Sequence, residues 1–442
     1  MKKLHLLTGA LAVLGLYSVS AQELSIDAEI RPRAEILNGF GEPALGSDDP
    51  GAVISQRTAL KFKYKSEKIT SFIQLQDVSV WGDRPQLETN DGSSFRIQQA
   101  WAKLDLGKGF SAKIGRQELS YDDQRILGGL GWAQQARTHD VGLFSYVDEG
   151  LKIDAGFGFN QNRENIVTRG LTNTDFTPSN PGIPIFQYKG IGFLHLNNKF
   201  SDSFTGSFLF LGNSFQNGAG LASGDETPGF NNRYTSGVHL KYKKSGFSAS
   251  ANGYYQFGEI FNPLAGGIQD VSGYLASLDL TYKPGKTLFG LGYEYISGDD
   301  RSSEGDFEGF FPLFGTNHKF NGFMDYFYVG NHAFANGLQD INAKVVLKTG
   351  TKSTLMIKAH QFLGAEDVAG LADNFGTEID LVFKTPVVKG ATLIVGYSQA
   401  FLDDDFLANR RVTPGTESDI QAWAWTMLVI KPNLFKWKKE IK

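Results

Sequence analysis

Leu24-Ser25-Ile26-Asp27-Ala28-Glu29-Ile30-Arg31-Pro32-Arg33-Ala34-Glu35 alternates without a break: Ile26, Ala28 and Ile30 fall on one side, and Asp27, Glu29, Arg31, Arg33 and Glu35 on the other. An extended chain sends successive side chains to opposite faces, so this stretch predicts a strand with one apolar and one charged face. The period returns along the chain. In 55–65, Leu60, Phe62 and Tyr64 oppose Arg57, Lys61 and Lys63; in 340–348, Ile341, Ala343, Val345 and Leu347 oppose Asp340, Asn342, Lys344 and Lys348. Similar segments follow near 69–80, 94–106, 109–119, 136–147, 150–160, 187–198, 202–213, 233–243, 246–258, 271–282, 286–297, 353–363, 375–385, 390–401 and 419–430. They bring the total to about eighteen, each near the ~9–11 residues a tilted strand needs to cross a bilayer. At 94–119 and 136–147 the alternation fits either register, which leaves the facing of Arg96, Arg116 and Arg137 open.

The connections are of two kinds that take turns. Short ones such as Lys65-Ser66-Glu67-Lys68, Gly107-Lys108-Gly109 and Lys283-Pro284-Gly285-Lys286 carry turn residues or charge. Long polar stretches lie between them, at 37–52, 81–93, 120–134, 161–186, 214–232, 259–269, 298–336, 364–374 and 402–418. An antiparallel sheet with short turns on one side and long loops on the other is the pattern of an outer-membrane barrel. The fold class expected is therefore all-β: one closed antiparallel transmembrane β-barrel. In lipid an unpaired backbone group costs several kcal/mol, which closure avoids. No repeat of a propeller or solenoid is visible, and a sandwich would need a second apolar sheet against every apolar face. At about eighteen strands the interior is too wide for wall side chains to fill, so a lumen is expected unless loops fold in.

Composition agrees. Aromatics at 13% and 52 glycines suit strands and tight turns, and hydrophobic residues make up only 41%. The chain has 43 Lys and Arg against 47 Asp and Glu, a formal charge of −4, so no basic excess favours nucleic acid. Without cysteine there is no thiolate metal site, Cys nucleophile or disulfide. Residues 1–21, with Lys2 and Lys3, apolar Leu4 to Leu16 and small Val19-Ser20-Ala21, read as an export signal. The barrel is then a single domain over 22–442, starting too soon after Gln22 for a plug, with 432–442 expected as a short periplasmic tail. Tyr64, Tyr146, Tyr242, Tyr282, Tyr295, Trp423 and Trp425 are candidates for an aromatic girdle at headgroup depth.

Enzymatic constellations are weak. The seven histidines show no H-E-x-x-H spacing, and Asp403-Asp404-Asp405 lacks the spaced pattern of a calcium loop. His318, Lys319 and Asp325 lie close in sequence, and a loop that folds inward and hydrogen-bonds the wall is preferred for them over an acid–base pair. No enzyme, cofactor or metal is expected. The charged faces place Arg31, Arg33, Arg57, Lys61, Lys344 and Lys358 in the lumen, interleaved with acids including Glu29 and Asp340. Cross-strand pairing is the plain role for such a ladder, while arginine is the residue suited to holding passing carboxylates.

Gly115-Arg116-Gln117-Glu118-Leu119-Ser120-Tyr121-Asp122-Asp123-Gln124-Arg125-Ile126-Leu127-Gly128, with Trp132 and Arg137, resembles the alginate-export family of outer-membrane porins. Phe314-Gly315-Thr316-Asn317-His318-Lys319-Phe320 and Gly322-Phe323-Met324-Asp325-Tyr326-Phe327 resemble a second stretch of that family. The resemblance implies an eighteen-stranded conduit for a polyuronate, narrowed by inward-folded loops and arginines; by motif match these are Arg116, Arg125 and Arg137. The long periplasmic loop of the known exporter has no counterpart among the short turns here. Expected partners are outer-membrane lipid and lipopolysaccharide, an anionic solute or polyuronate and, for export, a periplasmic scaffold. Lysines on the short turns and acids such as Asp48, Asp49, Asp122, Asp123, Asp403 and Asp404 on the long loops would favour anions moving outward. A general diffusion porin without anion preference is the competing reading, and a barrel-scaffolded adhesin or enzyme a more distant one.

Overall fold

Residues 22–83, 94–160, 188–216, 230–262, 267–299, 305–327, 336–368, 370, 373–410 and 412–439 are described by the computed structural model. The export signal expected at 1–21, and most of the long stretches at 81–93, 161–186 and 214–232, lie outside the described residues. The strands are β1 (Glu23–Asn38), β2 (Gly51–Lys65), β3 (Ile69–Val80), β4 (Arg96–Gly107), β5 (Phe110–Gln117), β6 (His139–Asp148), β7 (Leu151–Phe159), β8 (Gly190–Lys199) and β9 (Phe204–Gln216). They continue as β10 (Phe230–Lys244), β11 (Phe247–Asn262), β12 (Gly267–Tyr282), β13 (Leu288–Ile296), β14 (Leu338–Lys348), β15 (Thr354–Leu363), β16 (Asn374–Val388), β17 (Ala391–Leu402), β18 (Gln421–Ile430) and β19 (Asn433–Lys438).

Each strand from β1 to β18 pairs antiparallel with the next, and β1 closes the ring. Residues Ile30 to Asn38 of β1 pair with β18, and Glu23 to Asp27 pair with β19. The break between β18 and β19 falls at Lys431-Pro432, where Pro432 has no N–H to donate but its carbonyl accepts from Ala28 N–H at 3.0 Å. The last two strands are thus one interrupted wall position, which makes an eighteen-stranded closed barrel. This corrects the tail expected at 432–442: Asn433–Lys438 covers the edge of β1 that extends past the end of β18. Deleting the chain from Asn433 onward is expected to lower the thermal unfolding midpoint of the detergent-folded barrel, because five residues of β1 then lose a paired edge. A midpoint equal to that of the full chain would show that β18 alone seals the seam.

The alternation sorts side chains as the sequence predicts. Leu60, Ile73, Ile114, Phe144, Leu291 and Val395 are exposed on the outside, where lipid covers them. Glu29, Arg31, Arg57, Asp340, Glu378 and Asp380 are buried on the inside. Tyr242 and Tyr282 are exposed at the short-turn ends, as a girdle requires. Trp423 and Trp425 do not belong to that girdle. On β18 the inward residues are Trp423, Trp425 and Met427, all buried, and Thr426 faces out.

The core lies inside the ring. Leu119, Ile126 and Leu127 from the connection between β5 and β6 join Phe307, Phe310, Phe311 and Phe314 from the connection between β13 and β14 in one buried cluster with wall residues. A lumen too wide for wall side chains is thus filled by two loops.

Candidate conduction site inside the barrel

The first inward loop covers 118–138 and is held by cations of the wall. Arg31 donates from Nη1 to the Gly131 carbonyl at 2.8 Å, from Nη2 to those of Trp132 and Ala133 at 3.1 and 2.9 Å, and from Nε to Gln134 Oε1 at 3.0 Å. Arg57, opposite Arg31 across the β1–β2 pair, donates to the Ala133 and Gln134 carbonyls. Arg33 lies over the Trp132 ring at 4.0 Å and pairs with Glu35 at 2.8 Å. Backbone carbonyls at a tight turn need donors, and planar guanidinium forks supply several each. The turn is tight: Asp122, Gln124, Leu130 and Ala136 all have positive φ, a region non-glycine residues enter only when surroundings hold them there.

The second inward loop, 305–327, pairs with the first through its backbone. Gly128 N–H donates to Phe314 O at 2.8 Å, Phe314 N–H to Ile126 O at 3.1 Å and Thr316 N–H to Gln124 O at 2.9 Å. A Cβ on Gly315 would collide with the Arg125 carbonyl oxygen, so a glycine is needed for this approach. Arg137 Nη1 donates to the Gly315 carbonyl at 2.9 Å. The two motif stretches of the sequence therefore meet as one plate across the lumen. His318 belongs to that plate: its Nδ1 lies 2.7 Å from Asp325 Oδ1, and its ring stacks on Trp132 at 4.0 Å. The pair is a packing element that docks the loop.

Arg125 is fully enclosed. It contacts Asp123 at 3.1 Å, Asp279 at 3.2 Å and Glu294, with its face over Phe320 at 4.1 Å. Burial pulls its guanidinium down, but the three carboxylates prevail and hold it above the usual arginine value. Asn321 donates to the other oxygen of Glu294 at 2.8 Å, and Glu378 accepts from the N–H groups of Phe323 and Met324. These bonds fasten both loops to β12, β13 and β16.

Asp122 ties the first loop to the opposite wall, lying 3.1 Å from His195 Nε2 and accepting from Ser207 Oγ at 2.5 Å. Burial works against its ionisation, yet the His195 and Ser207 hydrogen bonds hold its carboxyl below the usual range. A carboxyl with a depressed folded pKa stabilises above its unfolded pKa of about 3.9, and that stabilisation is lost as pH falls through the folded value. Loop docking is accordingly expected to loosen below about pH 4. Conductance recorded from pH 6 to pH 3 should rise over that window in the wild type and change less in Asp122→Asn; identical profiles would remove Asp122 from the docking account.

Several residues singled out in the sequence therefore have different work. Arg31, Arg33, Arg57 and Arg125 face inward as expected, but they bind protein groups. Lys61 reaches Glu29 at 2.6 Å, which Arg57 also contacts at 3.4 Å. Asp340 is held by His360 at 2.8 Å. Arg116 is a correction: it shares a face with Phe110 and Ile114, is 46% exposed, and pairs at 2.6 Å with Asp140 on the outward side of β6. An arginine with a carboxylate directly across the strand pair has its partner there, at the loop end of the wall.

Lys344 and Lys358 do reach open space. With Lys319 and Lys384 they line a cavity of about 490 Å³ against the plate, whose other wall is Trp132, Phe323, Met356, Val382, Ile394, Trp425 and Met427. No carboxylate lines it among the described residues. Lys319 also donates to the Asp123 carbonyl at 2.9 Å, and burial pulls its ammonium below the ordinary lysine value. The readable signal for the apolar wall was the loss of alternation in Leu393-Ile394-Val395 and Met427-Leu428-Val429-Ile430, since continuous apolar runs mark strands apolar on both faces.

The alginate export family model matches residues 22–152, which include β1, β2 and the whole first inward loop. No curated protein matches. Among solved structures, Acinetobacter baumannii OccAB1 superposes with a TM-score of 0.60 at 13% identity, covering 94% of this chain and 97% of that one. The outer membrane protein OprD from Pseudomonas aeruginosa gives 0.55 at 13% identity, covering 93% and 94%. Pseudomonas aeruginosa OpdK, solved with vanillate, gives 0.54 at 11% identity, covering 93% and 99%. These likenesses show the fold, an outer-membrane β-barrel of the porin type.

Proposed function

We propose that this outer-membrane channel passes organic anions passively, selecting them at the lysine cavity beside the two-loop plate. The observation that carries the reading is the cavity's composition: four ammonium groups, no lining carboxylate and an apolar opposite wall. Positive charge in a confined, partly dehydrated space attracts anions and raises their local concentration. Arg31, Arg33, Arg57 and Arg125 are engaged by protein groups, whereas the four lysines border the open cavity where a solute would pass. The family match at 22–152 favours a polyuronate as cargo. The apolar wall favours a short carboxylate with a hydrocarbon or aromatic part, which would bury apolar area that a polyuronate lacks.

Planar-bilayer recording tests both. In asymmetric KCl the reversal potential is expected to show anion preference. A short aromatic carboxylate should reduce the chloride current at lower concentration than uronate oligomers do. Cation preference would leave a general porin, and stronger block by the uronates would return the reading to a polysaccharide conduit.

A further inference from the structure

We propose that Arg233 and Asn213 form a buried site for a small anion on the β9–β11 wall, away from the lysine cavity. Arg233 is 4% exposed and Asn213 2%, and the two face each other directly across the β9–β10 pair. Neither Nε nor Nη1 of Arg233, and neither amide atom of Asn213, has a hydrogen-bond partner. No carboxylate among the described residues forms an ion pair with Arg233. Its Cζ lies 5.2 Å from the centre of the Phe215 ring and 5.0 Å from that of the Phe311 ring.

The plain alternative is that these two aromatic contacts satisfy the cation. Stacking uses only the π faces, whereas the N–H donors lie in the guanidinium plane and stay open. A buried charge without compensation costs several kcal/mol. The neighbours do not supply it: Gln256 donates to Thr235 Oγ1 at 2.9 Å and to Phe311 O at 3.0 Å, and accepts from Phe311 N–H at 3.0 Å. On the other side the register partner of Arg233 is Gly258, which offers the guanidinium no side chain. Donors confined to the guanidinium plane, with the Phe215 and Phe311 rings close by, select a single ion or a flat oxyanion. The ligand class is therefore chloride or the carboxylate of a small acid, and the enclosure excludes a polymer.

The test uses the full-length folded barrel in detergent at constant ionic strength, exchanging bulky gluconate for chloride or for acetate and following thermal unfolding. A saturable rise in midpoint is expected. A rise with chloride alone assigns an inorganic ion, and a rise with acetate assigns a carboxylate. R233Q should abolish the dependence, and N213A, which keeps the cation, should weaken half-saturation by about tenfold through loss of one bond to the bound charge. No anion dependence in the wild type, or the same half-saturation in R233Q or N213A, would overturn the proposal.

Discussion

Replacing Arg31 and Arg57 together with alanine is expected to raise single-channel conductance several-fold while leaving the sign of ion preference unchanged. Between them these side chains make six hydrogen bonds to residues 131–134 of the first loop. Hydrogen bonds to a charged donor contribute about 1.5–3 kcal/mol each, and although they do not add fully, losing all six removes most of what holds that end of the plate. The wall itself should survive, because Glu29 keeps Lys61 at 2.6 Å. Planar-bilayer recording checks the conductance and reversal potential in one experiment. Unchanged conductance would mean that the loop's remaining contacts, its backbone pairing with 314–316 and the ties made by Asp122 and Arg125, suffice to hold it. A collapse of anion preference would mean that the guanidinium groups meet the solute after all.

That distinction marks where sequence reading stops. The barrel was legible because alternation is a local property: Ile26, Ala28 and Ile30 against Asp27, Glu29 and Arg31 already state which face meets lipid and which meets the lumen. The alternation of short and long connections carried the topology for the same reason. Whether an inward arginine binds a solute or a loop depends on contacts such as Arg31 to Gly131, a hundred residues apart, and no local pattern encodes them. Arg116 shows the limit of a motif. It stands beside Gln117, which does face inward and is fully buried, and a shift of one residue reverses the face on a strand of period two. The C-terminal segment was misread because Pro432 suggests an end to pairing, whereas here it marks only an interruption at which the carbonyl still accepts from β1. Lys319 and Lys384 were overlooked as pore residues for a further reason: their cavity is assembled from both inward loops and five wall strands, so its charge is visible only after closure.

Changing Lys344, Lys358 and Lys384 together to glutamine is expected to shift the permeability ratio toward cations by about tenfold or more. Two unit charges 8 Å apart interact by about 2 kcal/mol at an effective dielectric of 20, and salt screens charges in a confined cavity less than those on an open surface. Among the described residues, the other lysine lining the cavity with these three is Lys319. Glutamine keeps most of the length and a hydrogen-bond donor, so the bond that Lys358 makes to the Phe320 carbonyl at 3.1 Å can be replaced and the plate should stay docked. Conductance near the wild-type value with a displaced reversal potential would separate loss of charge from loss of structure, the reverse of the outcome expected for Arg31 and Arg57. Should the triple variant keep the wild-type reversal potential, selectivity would reside at another height in the barrel, and the lysine cavity would be a widening that solutes cross without being chosen there.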